Sequence, residues 1–242
     1  MRALGAGCLI LLLAAFPAAS QQFTALKGHG GPVMGIAVNH ATGQVATASF
    51  DNSIGLWQAR TPIWLEGHDA AVNTVLFIGD GGLASAADDF SILLWDLERS
   101  GHTRLEGHQG KVMGLALSPD HGILASASWD GSIGIWPLEG GIPAFLQVHE
   151  SPVNTGAFGR DGRLFSASAD GTVRVWNLET GNHRVLINQG FGINRIALEP
   201  ERGWLAYGAV DGATRVIDTQ DGLALWDFSL DRRPIIAMSH HA

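Results

Sequence analysis

From Val33 onward the chain is written in runs of five or six residues in which apolar and small side chains alternate with polar ones, each run closed by a turn signal. Val33–Val38, Gln44–Ser49, Ser53–Trp57 and Thr61–Glu66 are four such runs, rich in β-favouring residues, and together they predict an antiparallel sheet of four short strands. The pairs Asp51-Asn52, Asp130-Gly131, Asp170-Gly171 and Asp211-Gly212 stand where two strands must reverse tightly, and such pairs tolerate the positive φ of hairpin turns. Asp89-Phe90 is the odd one. The chain after its first twenty residues holds no helical stretch of length and no low-complexity linker, which predicts a single domain.

The four-strand plan recurs about every forty residues, and the copies can be laid over one another. A His or its replacement falls at His29, His68, His108, His149 and Gln189; a Trp or its replacement follows 27 or 28 residues later, at Trp57, Trp95, Trp136, Trp176 and Ile217. Six residues before each of these last positions stands an acid, Asp51, Asp89, Asp130, Asp170 or Asp211. Four residues before each acid stands a hydroxyl, Thr47, Ser85, Ser126 or Ser166, until Tyr207 breaks the series. Repeats near forty residues with a Gly-His opening and a closing Trp each make one propeller blade, because a single sheet cannot bury its faces alone. The predicted fold is all-β: a β-propeller of four-stranded antiparallel blades, five complete and a sixth begun by Pro234–Ser239. Four repeats are intact and the fifth is degenerate. Trp226-Asp227 lies outside this register, in the fifth repeat's outermost strand.

In these residues the chain resembles the WD40 (WD-repeat) family, and the resemblance covers nearly everything after residue 22. It implies that the Trp indole, the hydroxyl, the His ring and the turn Asp of each blade form a hydrogen-bonded chain. The sets are His29, Thr47, Asp51 and Trp57; His68, Ser85, Asp89 and Trp95; His108, Ser126, Asp130 and Trp136; His149, Ser166, Asp170 and Trp176. A Ser, a His and an Asp also spell a hydrolase triad. Four copies at a structural period point instead to a packing device, so no catalytic residue is assigned and the chain is read as a non-enzyme. There is no Gly-rich phosphate loop and no His-Glu-x-x-His metal motif. No metal site and no cofactor is assigned, and His40, His102, His121 and His183 are read as loop histidines.

The first twenty residues follow another pattern. Met1-Arg2 carries one positive charge, Leu4–Phe16 is almost wholly apolar, and Ala18-Ala19-Ser20 offers small residues for cleavage before Gln21. A signal peptide at 1–20 is expected, with a propeller from 21 to 242 in the periplasm or outside the cell. The alternative, an anchor, needs about twenty apolar residues, and this run is shorter and ends at Pro17. Cleavage would remove Arg2, one of 15 basic residues, and shift the net charge from −8 to −9. It would also remove the only Cys, leaving no thiol for a disulfide, a metal or a haem attachment. An acidic chain without a basic stripe excludes nucleic acid as a partner, since that affinity rests on Lys and Arg. No membrane span is expected after cleavage.

The resemblance also implies which residues point outward on one end of the propeller: those three and five after each His and the one before each Asp. They are Pro32, Met34 and Phe50; Ala71, Asn73 and Asp88; Lys111, Met113 and Trp129; Pro152, Asn154 and Ala169. Met34 with Phe50 and Met113 with Trp129 give two apolar spots, and Trp129 is the expected anchor for a protein partner. In the alternative reading, Phe50 and Trp129 fold back to cap their own hairpins. Phe23–Leu26 and Pro234–Ser239 would supply the outermost and first strands of a sixth blade and leave two missing. Either the chain is a fragment, the preferred reading, or its ring stays open. The expected function is a protein-binding scaffold outside the cytoplasm. The alternative is the propeller part of a periplasmic redox protein whose c-type haem module lies beyond residue 242.

Overall fold

The alternating runs fold into twenty strands in a computed structural model that describes residues 25–58, 60–228 and 234–235. The first sheet holds β1 (Val33–Val38), β2 (Val45–Ser49), β3 (Ser53–Trp57) and β4 (Pro62–Glu66). The second holds β5 (Val72–Ile78), β6 (Gly82–Ala87), β7 (Ile92–Asp96) and β8 (Gly101–Leu105). The third holds β9 (Val112–Leu117), β10 (Ile123–Ser128), β11 (Ser132–Pro137) and β12 (Ala144–Gln147). β13 (Val153–Phe158), β14 (Leu164–Ser168), β15 (Thr172–Trp176) and β16 (His183–Asn188) form the fourth, and β17 (Ile193–Glu199), β18 (Trp204–Ala209), β19 (Thr214–Asp218) and β20 (Ala224–Asp227) the fifth. Each sheet is an antiparallel meander in chain order, the all-β blade architecture that the repeat predicts. The expected leader at 1–20 lies outside the described residues, as does all but Pro234 and Ile235 of the expected opening strand of a sixth blade.

Local chemistry explains the meander. Asn52, Phe90, Gly131, Gly171 and Gly212 sit at the reversals between second and third strands with φ of 69°, 67°, 84°, 82° and 85°. Gly and Asn reach that left-handed region cheaply, whereas an aromatic residue does not. Each first strand carries a bulge at its second residue, between Val33 and Gly35, Val72 and Thr74, Val112 and Gly114, Val153 and Thr155, and Ile193 and Arg195. The bulge drops Met34, Asn73, Met113, Asn154 and Asn194 out of the ladder and frees their side chains from the pleat.

The core lies between consecutive sheets. Ala46, Ala48, Ile54 and Leu56 of the first blade meet Val72, Val75, Leu83 and Leu93 of the second, and three similar clusters join the later pairs. Small alanines on the second strands let the larger branched side chains of the following blade come close, which is how successive sheets reach interior packing density. The first blade breaks the series. Val33, Ile36 and Val38 of β1 are 46%, 67% and 46% exposed, while their counterparts Val72 and Val75 in the second blade are 0% and 5% exposed. That face of the first blade is open among the described residues.

Candidate functional site

The third strand of each of the first four blades returns a Trp at or next to its end beside the second strand, and this register builds the polar chain. Trp57 Nε1 donates to Thr47 Oγ1, and Trp95, Trp136 and Trp176 donate to Ser85, Ser126 and Ser166, all at 2.8 Å. The same hydroxyl oxygens lie 2.7, 2.8, 2.6 and 2.8 Å from Nε2 of His29, His68, His108 and His149. Nδ1 of these rings stands 2.8 to 2.9 Å from Oδ2 of Asp51, Asp89, Asp130 and Asp170. An ionised carboxylate only accepts, so Nδ1 is the donor and Nε2 of the neutral ring accepts from the hydroxyl. Each carboxylate also takes the backbone N–H of the residue after the His, from Gly30, Asp69, Gln109 and Glu150.

The electrostatics agree with that assignment. Burial alone would raise the carboxyl groups. Hydrogen bonds from Ser53 and His29 at Asp51, and from His68 and Ser91 at Asp89, more than reverse this and hold both well below the ordinary value. Asp130 and Asp170 are lowered on the same pattern. Burial lowers His108 and His149, against the pull of Asp130 and Asp170, and keeps the rings neutral.

Sequence reading missed one member of each set. Ser53, Ser91, Ser132 and Thr172 donate to the second carboxylate oxygen at 2.6 to 2.7 Å. The signal was present as a hydroxyl two residues after each Asp, and it is lost at Ala213 of the fifth repeat.

That fifth blade has replaced its network. Arg215 Nη1 donates to Tyr207 Oη at 3.2 Å and to Gln189 Oε1 at 3.4 Å, while Nε holds Asp227 at 2.8 Å. The position four after the turn Asp, occupied by Arg215 here, is Gly55 and Gly134 in the first and third blades. A Cβ on Gly134 would come within 2.5 Å of Ser126 Oγ and 2.6 Å of Trp136 Nε1. The outer strands then lay Trp64 and Phe145 edge-on over the His and Trp rings. In the second and fourth blades His102 and His183 cover Trp95 and Trp176 instead, with ring centroids 4.7 Å apart. These two histidines belong to β8 and β16 and not to the preceding loops, while His40 and His121 lie in first-to-second strand connections.

The residues expected on the outward end lie at the hairpin turns and blade entries, but Asn73, expected to point outward, is only 4% exposed and is turned into the junction with the next blade. Backbone N–H groups of Phe50, Asp88, Trp129 and Ala169 donate to the carbonyls of Pro32, Ala71, Lys111 and Pro152, tying each hairpin turn to the loop that enters its blade. Met34, Phe50 and Trp129 are 42%, 46% and 45% exposed, and Met113 is half-buried. Lys111 pairs with Asp88 and lies 5.5 Å over the Trp129 ring. Asn73 reaches Asp88 at 2.8 Å and the Val112 carbonyl of the next blade at 3.1 Å. The Trp129 indole donates to Asn154 at 3.1 Å, and Asn154 to the Ile193 carbonyl at 2.9 Å. Asn194 repeats the move on the carbonyl of Ile235 at 2.9 Å. Trp129 therefore leans across to the fourth blade and does not cap its own hairpin. Among the described residues no group of three His, Cys, Asp or Glu side chains could hold a metal ion, and no helix is long and apolar enough to cross a membrane.

Five four-stranded sheets packed in series, four of them carrying the same Trp–hydroxyl–His–Asp chain, define a β-propeller of WD-repeat type. The family model described as WD domain, G-beta repeat, matches residues 20–58, 60–96, 99–137 and 142–177, over half of the chain, and the chain belongs to that family. It is 36% identical over 107 residues to a CCR4-associated factor 4 homolog of Candida glabrata, covering 38% of this chain and 18% of that protein. To WD repeat-containing protein 36 of Homo sapiens it is 34% identical over 98 residues, 39% of this chain and 11% of the relative. To a guanine nucleotide-binding protein subunit beta of Lymnaea stagnalis it is 32% identical over 84 residues, 31% of this chain and 25% of the relative. The chain thus spans a quarter or less of each of these relatives.

Proposed function

We propose that this chain is a non-enzymatic, protein-binding scaffold acting outside the cytoplasm, with the rim of hairpin turns as its docking face. The observation that carries this reading is the coincidence, on that rim, of bulged first-strand residues with half-exposed Met34, Phe50 and Trp129. Exposed aromatic and Met side chains are the composition of an interaction site. WD repeats generally act as protein-interaction scaffolds and are generally non-catalytic. The polar chains act as packing devices: each His has both ring nitrogens engaged within its own blade, which leaves no free base for a substrate. Action outside the cytoplasm rests on the leader-like pattern of residues 1–20.

Co-purification from cells expressing the full chain tests the docking face. Trp129→Ala and Phe50→Ala should release the partner, and Trp129→Ala should weaken binding by about 2 kcal/mol or more. His121→Ala, on the opposite rim, should leave it bound. Retention by the first two with loss by the third would place the interface on the other end. N-terminal sequencing of the exported protein should begin at Gln21, and an intact Met1 in the cytoplasmic fraction would refute the location.

A further inference from the structure

The first four blades alternate, and the fifth, with Asn194, Arg195 and Val210 at the corresponding places, leaves the pattern. The bulged residue is Met in the first and third blades, at Met34 and Met113, and Asn in the second and fourth, at Asn73 and Asn154. The next residue is Gly35 and Gly114 against Thr74 and Thr155. The residue before the turn Asp is an aromatic in the odd blades, Phe50 and Trp129, and small or acidic in the even ones, Asp88 and Ala169. The residue after the His is uncharged in the odd blades, Gly30 and Gln109, and acidic in the even ones, Asp69 and Glu150. Odd-blade positions recur 79 residues apart and even-blade positions 81.

Two kinds of junction follow from this alternation. Inside a pair, the odd-blade glycine backs onto the even-blade threonine: a Cβ on Gly35 would lie 3.0 Å from Thr74 Cα, and one on Gly114 3.1 Å from Thr155 Cα. After each pair an asparagine reaches forward, Asn73 to Val112 and Asn154 to Ile193, and Asn194 of the fifth blade does the same to Ile235. Over the first four blades the unit is therefore a pair of blades. Its rim carries an odd-blade Met and aromatic followed by an even-blade acid, and Gly131 of the third blade's hairpin lies close to the carbonyls of His149 and Ser151, which flank Glu150.

We propose, resting on the scaffold reading above, that the rim holds two related docking spots, Met34–Phe50–Asp69 and Met113–Trp129–Glu150. Each takes a short segment in which an apolar side chain precedes a Lys or Arg, so that a partner displaying the segment twice is gripped at two points. Charge selects the basic residue. Lys111 is already paired with Asp88, and no cation among the described residues pairs with exposed Glu150. At the first spot Arg104 is shared between Asp69 at 3.2 Å and Asp89 at 3.4 Å, so two carboxylates face one guanidinium. The Phe50 face adds to the attraction for a cation, whereas Trp129 already carries Lys111 5.5 Å over its ring and offers the partner chiefly apolar contact; two linked contacts raise avidity without any new interface.

The test is photo-crosslinking of the purified full chain with the dipeptide amide acetyl-photoleucine-arginine, mapped by mass spectrometry, with the photoleucine-glutamate dipeptide as control. Labels should appear at two places, around Met34–Phe50 and around Met113–Trp129, and the acidic control should label neither. Phe50→Ala should remove the first label alone and Trp129→Ala the second alone. Glu150→Gln should weaken the second about two- to fivefold, the range of an exposed ion pair. Labelling at one spot only, or loss of both labels in a single variant, overturns the two-site inference and leaves the scaffold reading standing. Labelling confined to Ile36 and Val38 on the open face of β1, or to the rim of His121, overturns both.

Discussion

Replacing His108 by Ala isolates what one polar chain contributes. His108 is 5% exposed, accepts from Ser126 at 2.6 Å and donates to Asp130 at 2.8 Å. Its removal leaves Asp130 with the N–H groups of Gln109 and Ser132 and the Ser132 hydroxyl, so the carboxylate stays solvated by the fold. Ser126 fares worse, because its hydroxyl proton loses its acceptor in a position 1% exposed. An unsatisfied buried group costs about 1–3 kcal/mol, and the emptied ring volume under Phe145 and Trp136 adds a cavity cost, for a total of roughly 2–4 kcal/mol. In a domain of this size each kcal/mol moves the midpoint by about 2–4 °C, so thermal unfolding should shift down by roughly 5–15 °C. Gln189→Ala at the corresponding place in the fifth blade loses one 3.4 Å contact from Arg215 and one bond to the Phe191 carbonyl. That change should cost only about 0.5 kcal/mol. Calorimetry of the two variants decides the matter: equal shifts would show that the four-membered chains are not what holds the blades.

Acidification should destabilise the protein in two stages. Burial holds His108 and His149 below their ordinary value of 6.5, so the unfolded chain takes up those protons first. The stabilisation is complete above pH 6.5 and declines below it. The lowered carboxyl groups of Asp51, Asp89, Asp130 and Asp170 contribute above their ordinary value of 3.8, and their share is lost as pH falls further. A melting temperature flat from pH 7 to 4 would refute the neutral-His assignment. Gly134→Ala should push its Cβ into the Ser126–Trp136 bond and cost about 2 kcal/mol, whereas the same change at Gly101, with open space around it, should cost under about 0.5 kcal/mol by denaturant titration. Phe90 spends a left-handed φ of 67° on a side chain 45% exposed, so Phe90→Gly should raise stability by about 0.5–1 kcal/mol; a loss of that size would show that the ring packs.

The blade plan was legible because its signals are local and repeated. A hairpin turn and a strand of alternating residues recur five times and the His-to-Trp interval four times, so a weak cue at any one place is reinforced at the others. The rest depended on contacts between elements. That Ser53 and its counterparts complete the carboxylate's shell is written as a two-residue spacing, yet only the turn geometry shows the hydroxyl folding back onto its neighbour's second oxygen. That His102 and His183 lie against Trp95 and Trp176 depends on which residue of the outer strand falls opposite the indole. A shift of one place in that register would send them to the other face. The fifth repeat shows the same limit from the other side. Sequence alone marks Gln189, Tyr207 and Ile217 as departures and leaves the blade without its network. Arg215 becomes the partner of Gln189 and Tyr207 through a guanidinium long enough to meet both, whereas Arg174, at the same place in the fourth blade, stands beside an intact Trp176–Ser166 bond. The blade is thus defined by a volume to be filled and a set of donors and acceptors to be matched, and two unlike sets of side chains meet that requirement in one chain.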